Sequence, residues 1–266
     1  MSEKQGYLYA ATGKKFTDEA AASVRSLRRF NSKIHATLIT DKACTYAEFD
    51  NIIIVDFDSS DINWKKGLLY KALALQHSPY EKTFFADTDT YFTEECAELF
   101  DLLEYNDILI AHSPADVSKV VIDGKEIEGY HPYNTGIVVY KKTPETVQLF
   151  KDWLAAYQEK FEIYPSDQTP FMEALLKNKV RLYVLLPFYN FREHFMVSLP
   201  PGRVKIIHGR PRDVVDLEKR INKNTGHRTW LPRREKIIFR QPKSLKRRLK
   251  NALPQGVISF YRSLKK

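Results

Sequence analysis

The sequence predicts an α/β domain built on a largely parallel sheet. Three observations point there. Short apolar runs alternate with helical segments along most of the chain, and each run stops at turn-forming residues. In addition, 266 residues, 43% of them apolar, suffice to bury a core on both faces of a sheet.

Taken in order, Tyr7–Ala11 reads as the first strand, and Thr17-Asp18-Glu19 opens an alanine-rich helix that ends near Phe30-Asn31. Strands follow at Ile34–Ile39 and Ile52–Val55, then a helix over Lys65–His77 closed by Ser78-Pro79. Thr83–Ala86 is a buried strand that halts at Asp87, and Thr93-Glu94-Glu95 starts a helix to about Leu103. Ile108–Ala111 is strand-like, and Asp123-Gly124 between alternating residues marks a tight hairpin. Gly136–Tyr140 is a strand, Pro144–Phe161 a helix with proline at its favoured first position, and Asp167–Lys177 another helix. Val180–Leu186 and Val204–Ile207 read as the last strands of the body, and no internal repeat interrupts the order.

Composition narrows the functional classes. Cys44 and Cys96 stand far apart and in no motif, which excludes a disulfide framework and a paired-cysteine metal site and suits a reducing compartment. The polar start of the chain lacks the basic and apolar regions of a secretory signal, and the apolar stretch Asn251–Tyr261 is too short to span a bilayer. The net charge of +9 is unevenly placed. Residues 228–266 carry 13 Lys or Arg against one acid, Glu235, whereas residues 1–227 are net −3, so the chain reads as an acidic body with a basic tail beginning at 228.

Neither the dinucleotide glycine fingerprint nor the phosphate loop of NTPases is present. A ligand must then be met by side chains at the carboxyl ends of the strands. Two strands end in Asp-X-Asp, Asp56-Phe57-Asp58 and Asp87-Thr88-Asp89. Side chains two apart on extended backbone point the same way, so either pair suits a hard divalent cation, and spacing alone does not choose. Context favours the second, which lies mid-sheet between the helix carrying Lys71 and the aromatic pair Tyr91-Phe92. His208, ending the last body strand, adds an imidazole, and Arg210 and Arg212 add planar donors suited to a diphosphate.

The ordered set Ala10-Ala11-Thr12, Lys71, Phe84-Phe85-Ala86-Asp87-Thr88-Asp89, Tyr133-Asn134-Thr135-Gly136-Ile137, Ser166-Asp167-Gln168 and Ile207-His208-Gly209 resembles the GT-A-fold nucleotide-sugar glycosyltransferases, particularly glycosyltransferase family 8, over roughly residues 6–212. The resemblance implies a Rossmann-like mixed, mainly parallel sheet flanked by helices. It implies that Asp87, Asp89 and His208 hold Mn2+ (or Mg2+) bridging a nucleotide diphosphate. It places Lys71 near donor phosphate and sugar, Asn134 at the donor sugar, Thr12 at the base or ribose, and Asp167 and Gln168 beside the reacting carbon. The shortened His208-Gly209-Arg210-Pro211 leaves Arg210 and Arg212 both available to the β-phosphate; Thr135, and Lys71 in place of an arginine, are further departures.

The expected activity is a metal-dependent, retaining glycosyltransferase of the hexosyltransferase type. The expected donor is a nucleotide-sugar, foremost a UDP-sugar, and the acceptor a saccharide or lipid-linked glycan, in cell-surface glycan or lipopolysaccharide synthesis. Two other classes compete: a non-catalytic nucleotide- or carbohydrate-binding module on the same fold, and a nucleic-acid-binding protein led by the tail. The net negative body argues against the last. In the tail, Leu245, Leu249 and Leu253 recur at helical spacing among Lys243, Lys246, Arg247, Arg248 and Lys250, as in a helix lying on a membrane surface. The expected location is therefore cytoplasmic, at the inner face of a membrane, with no nucleic-acid partner.

Overall fold

The structure, a computed structural model, describes residues 4–55, 64–114, 118–122, 125–159, 161–162, 164, 166–232 and 236–239. Its elements in chain order are β1 (Gln5–Ala10), α1 (Gly13–Arg28), β2 (Ala36–Thr40), β3 (Asn51–Ile54), α2 (Trp64–Gln76), β4 (Lys82–Ala86), β5 (Thr90–Phe92), α3 (Glu98–Leu102) and β6 (Ile108–His112). Then come the hairpin β7 (Ser118–Ile122) and β8 (Lys125–Tyr130), β9 (Tyr133–Lys141), α4 (Pro144–Glu159), α5 (Gln168–Lys177) and β10 (Leu182–Leu185). A short 3-10 turn (Pro187–Tyr189) leads to β11 (Val197–Leu199), β12 (Ile206–His208), α6 (Val214–Asn222), β13 (Arg228–Leu231) and β14 (Lys236–Phe239).

Seven strands form the central sheet in the order β10-β6-β9-β4-β1-β2-β3. Only β9 runs against its neighbours; the other pairings are parallel. Both faces are covered, so the strands are apolar on both sides rather than alternating. In β1 and β4, Tyr7, Tyr9 and Phe84 enter a core with Val24 and Leu27 of α1, while Leu8 and Phe85 enter a second core with Phe150 and Trp153 of α4 and Phe171 of α5. A third cluster joins Phe191, Ile207, Leu217, Ile221 and Trp230 under β12.

This topology positions the site. From β1 the chain proceeds to β2 and β3 on one side, while β4 lies on the other, so the carboxyl ends of β1 and β4 flank a crevice where strand order reverses.

Several elements differ from the sequence expectation. The helix expected to begin at Thr93 does not; β5 forms first and only Glu98–Leu102 is helical. Thr93 is recruited into the pairing with the chain entering β12: its amide donates to Lys205 O at 2.8 Å and its hydroxyl to Val204 O, so it cannot cap a helix. The first helix starts at Gly13, four residues before the expected cap, and the Thr17 hydroxyl donates back to Gly13 O at 3.0 Å from inside it. β11, α6, β13 and β14 were not expected; α6 is capped by the Asp213 carboxylate, which accepts from Asp216 N at 2.9 Å. The expected boundary between residues 227 and 228 falls just ahead of β13, which pairs with β11 and β14. Asp56-Phe57-Asp58 and the leucine and lysine stripe from 243 onward lie outside the described residues. Among the described residues, no helix is long and apolar enough to cross a membrane.

Candidate functional site

Asp87 follows β4 directly, and Asp89 precedes β5 by one residue. The turn between them is fixed from below by a buried chain of hydroxyls: Tyr9 pairs with Ser23 at 3.0 Å, Ser23 with Thr90 at 2.7 Å, and the Thr90 hydroxyl donates to Asp87 O at 2.8 Å. Antiparallel pairing of β5 with β12 sets His208 opposite Thr90, which brings its ring to the two acids. His208 Nε2 lies 3.6 Å from Asp87 Oδ2 and 3.4 Å from Asp89 Oδ1. One ligand atom from each of these three residues falls within 4.8 Å of the others.

The other ring nitrogen fixes the tautomer. His208 Nδ1 is 2.7 Å from Asn190 Oδ1, and since an amide oxygen only accepts, Nδ1 carries the proton in this bond and Nε2 is the nitrogen turned toward the acids. Asn190 is brought there by the Phe191 bridge to Ile207 and by the His208 N to Phe191 O bond of 2.8 Å.

Gly136 makes the close approach of β9 possible. A Cβ at this position would lie 2.1 Å from His208 Cε1 and 2.8 Å from both Asp87 Oδ2 and His208 Nε2. The glycine is therefore a cradle for the cluster rather than a flexible joint. Gly209 is needed for another reason: its φ of 116° turns the chain after β12, in a region L side chains rarely adopt, and sends Arg210 back across the cluster.

Around these groups the ion pairs are shared. Lys71 Nζ, on the buried face of α2, lies 2.8 Å from Asp87 Oδ1 and 3.6 Å from Asp167 Oδ2. Asp167, just before α5, is buried; its carboxylate accepts from the Thr135 hydroxyl at 2.7 Å, and its backbone oxygen from Trp153 Nε1 at 2.9 Å. Arg210 reaches Asp89 Oδ2 at 3.0 Å.

Charge and burial pull against each other throughout. Burial disfavours ionised Asp87, but Lys71 and His208 outweigh it and hold the carboxyl below the usual range. For Asp89, burial is likewise outweighed by His208 and Arg210, and the carboxyl sits far below that range. Burial wins at Asp167, raising its carboxyl despite Lys71 and Thr135. Lys71 is opposed by burial, yet Asp167 and Asp87 keep its ammonium above the usual lysine range.

Of the site residues named from the sequence, nine, Thr12, Lys71, Asp87, Asp89, Asn134, Asp167, Gln168, His208 and Arg210, line one cleft of about 560 Å³. Arg212 does not line it. Thr12 stands at the N-cap of α1 with extended backbone and makes no capping bond; Asn134 is buried, its Oδ1 accepting from Gly136 N at 3.1 Å. Sequence reasoning missed Asn190, Glu19 and Arg192. Asn190 sits in no motif, and only its alternation with Phe191 and Arg192 hinted that it shares a face with a cleft residue.

The donor set fits a divalent cation by its chemistry: two carboxylates and one imidazole nitrogen turned toward a single point. The glycine cradle, which brings β9 against all three, agrees.

The fold has known counterparts. The family model for nucleotide-diphospho-sugar transferases matches residues 81–199, a span that holds Asp87, Asp89, Asn134, Asp167 and Gln168. The galactosyltransferase LgtC, solved with donor and acceptor sugar analogs, superposes with a TM-score of 0.56 at 12% identity over 78% of this chain and 87% of its own. GlyE of Streptococcus pneumoniae TIGR4 gives 0.54 at 17% identity, over 79% of this chain and 56% of GlyE. The bifunctional glycosyltransferase WbbM gives 0.51 at 12%, over 80% and 47%. No curated protein matches significantly by sequence. The chain has the GT-A fold of the nucleotide-diphospho-sugar transferases.

Proposed function

We propose that the protein is a metal-dependent glycosyltransferase that moves a hexose from a nucleotide diphosphate, foremost a UDP-sugar, to a saccharide or lipid-linked glycan. The observation that carries this reading is the convergence of Asp87 and Asp89 from the β4–β5 turn and of His208 from β12, in a cleft that also holds Lys71, Arg210 and Asp167. The family 8-like order of motifs supports it.

Asp87, Asp89 and His208 Nε2 would hold Mn2+ or Mg2+, which supplies electrostatic compensation for a departing diphosphate. Arg210, at the outer side of the cluster, donates planar hydrogen bonds to phosphate oxygens. Lys71 is a buried cation on the inner side, kept charged by Asp87 and Asp167. Such preorganised charge stabilises the leaving group without reorganisation in the transition state. Thr12 contacts the base or ribose, and Asn134 the sugar hydroxyls. Asp167, oriented by Thr135 and Lys71, and Gln168 face the anomeric carbon as it gains positive character, which fits transfer with retention. A binding module needs no such buried carboxylate behind the metal acids.

The basic tail from 243 to 266 would hold the enzyme on the cytoplasmic face of a membrane, near an acceptor of cell-surface glycan or lipopolysaccharide type. Its support is the stripe of Leu245, Leu249 and Leu253 among lysines and arginines. Deleting those residues should abolish sedimentation with anionic liposomes while leaving donor hydrolysis intact; retained sedimentation counts against it.

The decisive experiment is thermal stabilisation by UDP-, GDP-, CMP- and dTDP-sugars with and without Mn2+. One donor at 100 times its dissociation constant should raise the unfolding temperature by about 5–10 °C. The shift should require Mn2+ and vanish in Asp89→Ala. Stabilisation that survives without metal, or in Asp89→Ala, would remove the proposed site.

A further inference from the structure

Glu19, in the second turn of α1, reaches the Asp87-Thr88-Asp89 turn, and both of its carboxylate oxygens are engaged. Oε1 accepts from Arg210 Nε at 2.9 Å; Oε2 accepts from Arg210 Nη2 at 2.7 Å and from the Thr88 hydroxyl at 3.1 Å. One whole edge of the guanidinium is thus clamped in a two-point fork. The remaining edge, through Nη1, is aimed at Asp89 Oδ2 at 3.0 Å. Thr88, the middle residue of the Asp87-Thr88-Asp89 turn, ties the clamp to the same turn that carries the acids.

We propose that Glu19 is the positioning residue that aims Arg210 at the donor diphosphate. This rests on the reading of the cleft as a donor site. With the Nε and Nη2 edge fixed on Glu19, only Nη1 is presented to the metal cluster, and any phosphate oxygen bound beside Asp89 meets a donor already oriented. The Arg210 side chain is 55% exposed, so the ion pair contributes little to folding; its consequence is orientation. Gly209 places Arg210 on this path, and its positive φ makes the short His208-Gly209-Arg210 connection possible.

The test is a double-mutant cycle on nucleotide affinity by calorimetry in MnCl2. It uses the tightest-binding of UDP, GDP, CDP and dTDP together with the matching monophosphate. Glu19→Gln should weaken the diphosphate about tenfold, the scale of coupling within one ion-pair network, and the monophosphate less than about twofold. In an Arg210→Gln background the same substitution should change diphosphate affinity less than about twofold. Equal losses in both backgrounds, equal losses for both nucleotides, or a lowered unfolding temperature with diphosphate affinity intact would each overturn the assignment. If the wild-type protein binds none of the four diphosphates with Mn2+, the donor-site reading itself falls and takes the role of Glu19 with it.

Discussion

Where β1 and β4 end, Asp87, Asp89 and Asp167 share Lys71, His208 and Arg210 among them; at the opposite end of the sheet, Glu94 and Glu98 are matched to Arg203 and Lys205, and Asp107 has two cations, Arg181 and Lys141. The two ends of one sheet thus carry similar numbers of acids and opposite arrangements. At the starting end the pairs are closed, and Glu94–Arg203 and Glu98–Lys205 are partly exposed, the pattern of a solvated surface. At the finishing end no acid has a cation to itself; Gly136 leaves room for the close approach and a buried hydroxyl chain fixes the turn that carries Asp87 and Asp89. A functional site differs from a charged surface in that its charges converge before they are neutralised.

The comparison can be broken from either end. The largest effect is expected from Gly136→Ala, whose Cβ would intrude on His208 and Asp87. It should reduce Mn2+-dependent nucleotide binding by more than about 100-fold, as calorimetry would show, because the ligand geometry cannot be kept. Unchanged binding would mean that β9 does not cradle the cluster.

Next is Asn190→Ala, which frees His208 Nδ1 of its acceptor. Loss of such an outer partner costs about 10–100-fold in metal affinity, measurable by Mn2+ titration followed by electron paramagnetic resonance. An Asn190→Asp variant restores an acceptor and should recover most of the loss.

At the starting end, Arg181 and Lys141 hold the Asp107 carboxyl down to about 2, with burial opposing them. A depressed carboxyl adds stability above its unfolded pKa of about 3.9, and that stability is lost as pH falls through that value toward 2. Asp107→Asn should therefore lower the urea midpoint at pH 7 and narrow the gap between the midpoints at pH 7 and pH 3. A gap equal to wild type would show that Asp107 carries no charge-linked stability.

Smallest is Glu94→Gln, which opens an exposed pair with Arg203. It should cost about 0–1 kcal/mol in urea unfolding and leave nucleotide affinity unchanged. Any loss of binding would dissolve the distinction between the two ends.

The legible parts of this molecule are those written in contiguous residues. The Asp87-Thr88-Asp89 turn and the helices over 64–76, 144–159 and 168–177 follow from apolar runs, proline and turn signals. His208 was legible as a strand-ending histidine. Partnerships across long sequence distances were not. Nothing local links Asn190 to His208 or Glu19 to Arg210, which are 191 residues apart, because those contacts exist only once β12 lies beside β5. Thr93 was misread for the same reason: its hydroxyl suits a helix cap, and a strand 111 residues away claims it. β11 and β13 were missed because they are three and four residues long, and the apolar residues of these strands and of α6, Leu199, Trp230 and Leu217, gain meaning only in the third core.

Anomalous diffraction at the manganese edge, from crystals grown with MnCl2 and UDP, tests the central claim most directly. The account predicts one dominant peak within bonding distance of Asp87, Asp89 and His208 Nε2, with the diphosphate beside it and Arg210 still clamped by Glu19. Manganese bound elsewhere, or a diphosphate seated in the cleft with these three side chains carrying no metal, would contradict it.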